Sequence, residues 1–266
     1  MTVATSALEL AGYPAIELQP AGHVRAGVTY GRNVSEGYQR GAGLEYGLLG
    51  HQVAEHPLFK EAIAAATGHT VMAMHRLQNL FLILTTRFDA LMSKDIIEFG
   101  SYRGGSLFFM GTVMKKLFPR ATIYGLDTFE GMPQTDATVD LHSAGDFKDT
   151  SLAKVDAQAR KLGLDNIVLV QGMVEDTFPA KVPADKTFAL AHIDLDIYGP
   201  IKYVQDAVWD RMAPGGYVVY DDATASSCIG ATQAVEELLI ERRVRSEQIY
   251  PHFVFRVGLT DTAKLD

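Results

Sequence analysis

Two aspartates one residue apart, Asp194 and Asp196 in AHIDLDIYGP, follow a run of apolar residues, and a second pair, Asp221 and Asp222, follows GYVVY. Each apolar run reads as a buried strand, and a carboxylate at the end of one is costly unless something pairs with it. Consecutive strands joined by a helix usually lie side by side, so up to four carboxylates meet at their tips. Two unit charges about 4 Å apart repel by about 4 kcal/mol at an effective dielectric of 20. Protonation is one remedy and a divalent cation is the other. The donors are hard oxygens with no cysteine close by, which favours Mg²⁺, Mn²⁺ or Ca²⁺ over zinc. A metal on a substrate hydroxyl lowers its pKa, and a spare carboxylate can take the proton. While the strand stays regular, residues i and i+2 share a face, so Asp194 and Asp196 are expected to point the same way, one as ligand and one as base. The plainer reading is a loop that Asp-Asp merely opens and caps.

Three other segments follow apolar runs. EFGSYRGGS, residues 98–106, has Gly100 for a tight turn, while Gly104 and Gly105 let a ligand approach the backbone. The helix expected next offers unpaired N–H groups at its start. The spacing is not G-x-G-x-x-G, and Glu98 before the first glycine would repel a pyrophosphate. An acid there suits an amine or a sulfonium. DTFEGMP puts Asp127 where a carboxylate can accept from both ribose hydroxyls, although Asp also favours turns and caps. QGMVEDTF offers Gln171, Met173 and Val174 to border an adenine. A cationic amino-acid group, a ribose and an adenine describe S-adenosylmethionine (SAM). The order of these three tips is that of a class I methyltransferase.

The elements that must hold these tips alternate. Helical spacing runs from near His51 to Ala66 and from about Thr70 to Ala90, with Met74, Leu77, Leu80, Phe81 and Leu84 reading as core. Beyond them, DIIEFG, ATIYGLD, NIVLVQG, TFALAHIDLD, GYVVYDD and HFVFRVGL read as strands. GSLFFMGTVMKKLF, SLAKVDAQARKLGL, PIKYVQDAVWDRM and IGATQAVEELLIERR read as helices between them. The pattern predicts an α/β, Rossmann-like fold: a mostly parallel sheet with helices on both faces and a final antiparallel strand. Ligands then sit beyond the carboxyl ends of the strands. Residues 1–68 form a separate N-terminal helical and loop extension, expected to cover the acceptor site or contact another copy, and residues 69–266 form the methyltransferase domain. Glycines crowd the stretch from Gly22 to Gly50, which suits loops, and Tyr30, Tyr38 and Tyr46 within it can pack on the domain or cover a pocket. Exchange of that arm between copies would make a homo-oligomer.

The net charge of −8 over 266 residues argues against nucleic acid or an anionic membrane as partner, since both reward clustered Lys and Arg. The expected partner is a small molecule. The one cysteine, Cys228, makes no intramolecular disulfide and reads as a buried structural residue before a nucleophile. A reducing cytoplasm fits it. No apolar run is long enough to span a bilayer, and the N-terminus lacks the basic start and apolar core of a secretory signal.

EFGSYRGGS, DTFEGMP, HIDLDIY and YDD together resemble the macrocin O-methyltransferase family of SAM- and Mg²⁺-dependent enzymes, many of which methylate sugar hydroxyls of natural products. The resemblance spans roughly His69 to Leu259. It implies that Asp194, Asp221 and Asp222 hold the metal and that Asp196 is the general base. It places Glu98, Gly100, Ser101, Asp127 and Gly172 at SAM, with Tyr102, Gly104, Ser106, Thr128, Met173 and Asp194 beside them. MHRLQN, beginning at Met74, is similar to the family's helix that reaches SAM from the N-terminal side. The loop from Pro133 to Ser151 faces the acceptor by position, with His142, Phe147 and Asp149 as a lid and Tyr198 as a further substrate contact. His142 reads equally well as a surface histidine, and His192 as a satisfied core residue. Phenol or catechol methylation is the second reading; catechol enzymes commonly carry Asn where Asp222 stands. A SAM- or nucleoside-binding protein without turnover and a metal-dependent hydrolase are further alternatives.

Overall fold

A computed structural model describes residues 6–16 and 49–258 of the chain. The tract with Tyr30, Tyr38 and Tyr46 lies outside the described residues. The described helices, numbered in order, are α1 (Ala7–Leu10), α2 (Leu49–Glu55), α3 (Pro57–Ala66), α4 (Met74–Thr86), α5 (Gly105–Leu117), α6 (Leu152–Lys161), α7 (Val174–Lys181), α8 (Tyr198–Trp209) and α9 (Ile229–Glu241). The strands are β1 (Ile96–Phe99), β2 (Ile123–Asp127), β3 (Ile167–Gln171), β4 (Phe188–Ile193), β5 (Met212–Tyr220) and β6 (Phe253–Arg256). They form one sheet in the order β3-β2-β1-β4-β5-β6. Every pairing is parallel except β5–β6. The order reverses between β1 and β4, and both strand tips there carry residues of the expected site.

Both faces of the sheet are covered, so β1 and β4 are buried at every position. Alternation sends Ile96, Ile123 and Val219 into one core with α2–α5, and Ile97, Tyr124 and Val218 into another with α7–α9. The helical pattern after His51 breaks in two because Pro57 starts a new helix at its first turn, where a missing N–H costs nothing. The next pattern is shorter than the sequence suggests: α4 ends at Thr86 and a 3₁₀ turn covers Phe88–Ala90. The Ser151 hydroxyl accepts from Lys154 N–H to cap α6, and Gly163 at φ 68° closes it. Helix α7 has no counterpart in the sequence reading; it is eight residues long and contains Pro179.

Helices α2 and α3 share their core with α4 and α5. Phe59, Phe81 and Phe109 form its centre, with ring centroids 5.3–6.5 Å apart and edge-on geometry. Phe109→Ala is expected to lower stability by about 3–5 kcal/mol, since a fully buried ring packed edge-on against two others is lost. A denaturant melt with an unchanged slope and a lower midpoint is the check.

Candidate active site

The β1 tip sits hard against the β4 tip. Gly100 has φ 88°, and a Cβ there would stand 1.6 Å from the Asp194 carbonyl oxygen. Gly104, left-handed at φ 82°, caps α5. The Asp127 carboxylate ties this loop to β2: Oδ2 accepts from the backbone N–H of Ser101 at 2.8 Å and Tyr102 at 2.7 Å, and Oδ1 accepts from Phe129 N–H at 2.6 Å. Gly172, at φ 137°, follows β3, and its N–H donates to the Asp127 carbonyl at 2.9 Å.

These tips open onto one cavity. Among the expected residues, Gly100, Tyr102, Asp127, Thr128, Gly172, Met173, Asp194, Asp196, Asp221, Asp222 and Phe147 line it. The others fall elsewhere. Glu98 is fully buried inside the sheet, Ser101 and Ser106 are buried behind the loop, and Met74 is half exposed. Asp149 pairs with Arg103 and the Tyr102 hydroxyl on an exposed surface. The Tyr198 hydroxyl donates to Glu237 at 2.8 Å, which turns it toward α9. His142 stands behind the cavity wall, against Cys228 and Asp196.

The four aspartates do converge, but not by strand alternation. Strand β4 ends at Ile193, before either residue, and Asp196 adopts φ 59°. This turn, rather than the pleat, sets the direction of its side chain. The Asp196 N–H donates to Asp222 Oδ2 at 3.0 Å, which joins the β4 and β5 tips. Asp194, Asp221 and Asp222 each offer an oxygen, all within 4.8 Å of one another. Burial pushes the Asp194 and Asp222 carboxyls well up, and the neighbouring carboxylates add to it. Burial likewise raises Asp196. Three hard oxygens in this spacing fit a divalent cation that would relieve the repulsion.

Asp221 differs from its neighbours. Burial raises its carboxyl, but His192 and His252 hold it far below the usual range. His252 Nε2 lies 2.8 Å from Oδ1, and the Arg76 guanidinium donates to Oδ2. Behind them runs a buried polar chain. Glu98 Oε1 lies 3.0 Å from His192 Nδ1, and His192 Nε2 lies 3.7 Å from Asp221. His252 Nδ1 meets the Asn79 amide at 3.0 Å, and the Gln248 amide donates to Asn79 Oδ1. Burial pulls the His192 pKa down, but the flanking Asp221 and Glu98 carboxylates raise it to about 9. Glu98 thus lies in the sheet interior, opposite His192 in register. Burial and the Asp222 and Asp196 carboxylates push the Cys228 thiol up, and its S–H donates to Asp196 Oδ1 at 3.3 Å.

Arg76, His252 and Cys228 were not singled out as site residues from sequence. One signal existed for Arg76: a lone cation in the first turn of an apolar helix, in a chain with uncompensated acidic pairs.

The macrocin-O-methyltransferase family model matches residues 34–247. The mycinamicin III 3''-O-methyltransferase of Micromonospora griseorubida is 30% identical over 173 residues, covering 60% of this chain and 67% of that one. A tetracenomycin-C rhamnosyl 4'-O-methyltransferase of Streptomyces olivaceus is 29% identical, covering 61% of this chain and 66% of the relative. Among solved structures, the O-methyltransferase NovP superposes with a TM-score of 0.63 at 21% identity, covering 74% of this chain and 87% of NovP. The calicheamicin methyltransferase CalS11 gives 0.57 at 22% identity, covering 76% and 91%. Those two likenesses speak for the fold, and the family match spans most of the chain. The chain belongs to the macrocin-O-methyltransferase family, and is an S-adenosylmethionine-dependent O-methyltransferase of class I fold.

Proposed function

We propose that the chain transfers the methyl group of SAM to a sugar hydroxyl of a glycosylated natural product, with a divalent cation held by Asp194, Asp221 and Asp222. The observation that carries this reading is the opening of those three carboxylates and of Asp196 onto the cavity that Asp127 and Gly172 also line. One relative is named for a rhamnosyl tetracenomycin and another for mycinamicin III, which supports an acceptor of this class.

A bound cation of the Mg²⁺ type would lower the pKa of the acceptor hydroxyl and fix its direction. The remaining work falls to the chain. Gly100 and Gly172 line the cavity where SAM would lie. Val71, Met72, Met132, Pro133 and Phe147 give the cavity an apolar border that excludes water from the transfer. SAM, when bound, would supply the methyl group from its sulfonium and would leave as S-adenosylhomocysteine. Asp196 takes the hydroxyl proton. A sugar alcohol ionises far above neutrality, so a positioned base matters more here than for a phenol. Asp196, raised by burial, is better matched to that proton than a surface aspartate. Val71, Met72 and Arg76 add to the cavity wall from the segment that follows α3.

Excess EDTA is expected to abolish turnover, and added Mg²⁺ to restore it, while calorimetric binding of S-adenosylhomocysteine persists. Full activity in EDTA would remove the metal from the proposal. A panel of sugar and catechol acceptors separates the two hydroxyl classes.

A further inference from the structure

Beside the carboxylate cluster stands a second group of donors with different chemistry. His142 Nε2, Asp196 Oδ1 and Cys228 Sγ face one another, all within 4.8 Å. The sulfur lies 3.3 Å from the Asp196 oxygen and 3.7 Å from the His142 nitrogen, and that nitrogen lies 3.9 Å from the Asp196 oxygen. Tetrahedral zinc with one sulfur, one nitrogen and one oxygen ligand needs separations of about 3.5, 3.6 and 3.3 Å in the same order. Two edges need shifts of about 0.1–0.2 Å, and the nitrogen–oxygen edge must close by about 0.6 Å, to reach those values.

An independent feature points the same way. His142 Nδ1 lies 3.3 Å from Asp146 Oδ2, which also accepts from the Ser143 N–H at 3.0 Å. A carboxylate on the far ring nitrogen is the usual support of a metal-ligating histidine, because it fixes the tautomer. With the proton on Nδ1, the Nε2 lone pair faces Cys228 and Asp196. Asp196 also lines the cavity.

We propose that His142, Asp196 and Cys228 form a second cation site, which takes Zn²⁺ in place of the thiol proton. Binding releases that proton: the sulfur–hydrogen bond breaks, a zinc–thiolate bond forms, and H⁺ leaves to solvent. The mixed sulfur, nitrogen and oxygen set selects a softer ion than the all-oxygen set next to it. If Asp196 is the base of the proposed function, zinc here removes it from service, and the protein is switched off by zinc while Mg²⁺ still occupies its own carboxylates.

Cobalt(II) is the probe, added to the full-length protein with saturating Mg²⁺ and without SAM or acceptor. A thiolate-to-cobalt charge-transfer band in the near ultraviolet is expected, displaced by Zn²⁺ and lost in Cys228→Ser. The carboxylate site has no sulfur and gives no such band. His142→Ala is expected to weaken cobalt binding, and Asp146→Asn, a solvent-exposed change, to weaken it roughly ten- to a hundredfold. Absence of the band in the wild type, its survival in Cys228→Ser, or an unchanged affinity in either of the other variants overturns the assignment. Because the band is read without turnover, failure of the methyl-transfer reading leaves it standing. If both hold, Zn²⁺ inhibits methyl transfer at saturating Mg²⁺ without displacing S-adenosylhomocysteine.

Discussion

Asp196→Asn is expected to lower turnover about 10²- to 10⁴-fold, the usual contribution of a positioned base, or about 3–5 kcal/mol of barrier. The change keeps the shape of the side chain and removes only its ability to take a proton. SAM affinity should stay near the wild-type value, because no hydrogen bond of the loops after β1, β2 and β3 involves this side chain. Stability should hold or rise, since one of the crowded carboxylate charges is gone. Single-turnover rates, calorimetry and a thermal melt separate these outcomes. Equal losses of rate and SAM affinity would sink the assignment as base. The pH profile gives a further check. Activity needs the ionised carboxylate, and burial raises its pKa, so the acid limb should fall off at a higher pH than an exposed aspartate would give.

Gly100→Ala is expected to cost about 3–5 kcal/mol of stability, through a left-handed backbone that a side chain resists and an overlap with neighbouring backbone. The overlap cannot be relieved by a rotamer change. The new methyl carbon meets the Asp194 carbonyl at 1.6 Å, so either the loop or the β4 tip must move. Movement of that tip displaces Asp194 and Asp196 together. Loss of SAM binding and of turnover should therefore accompany the lower denaturation midpoint. A variant with a wild-type midpoint would show that the two tips are not held in this contact.

Much of this site can be read from the sequence because strand tips are local features. An apolar run that ends in an acid and a glycine announces both the strand and the place where its pocket begins. The βαβ order then brings those tips to one edge of a parallel sheet. What stays hidden depends on lateral order. Glu98 looks like a ligand contact from its place before Gly100, yet β4 lies next to β1 and sets His192 beside it. Arg76 sits 145 residues from the aspartate it pairs with, and no periodicity records such a contact. Tyr198 follows the aspartates closely in sequence, but it begins α8 and its hydroxyl reaches Glu237 on α9. Helix α7 escaped notice because a short helix with an internal proline carries little helical signal.

The buried chain from Glu98 to Gln248 bears on how the molecule is assembled. His252 immediately precedes β6, and it reaches Asp221 only when that last strand has joined the sheet. Until then Asp221 lacks its nearest imidazole partner, and burying it so is unfavourable. The edge strand, the most distant element in sequence from the loop after β1, thus completes the charge balance at the centre of the sheet. A chain ending before residue 252 would keep all four site aspartates in its sequence and still lack that balance.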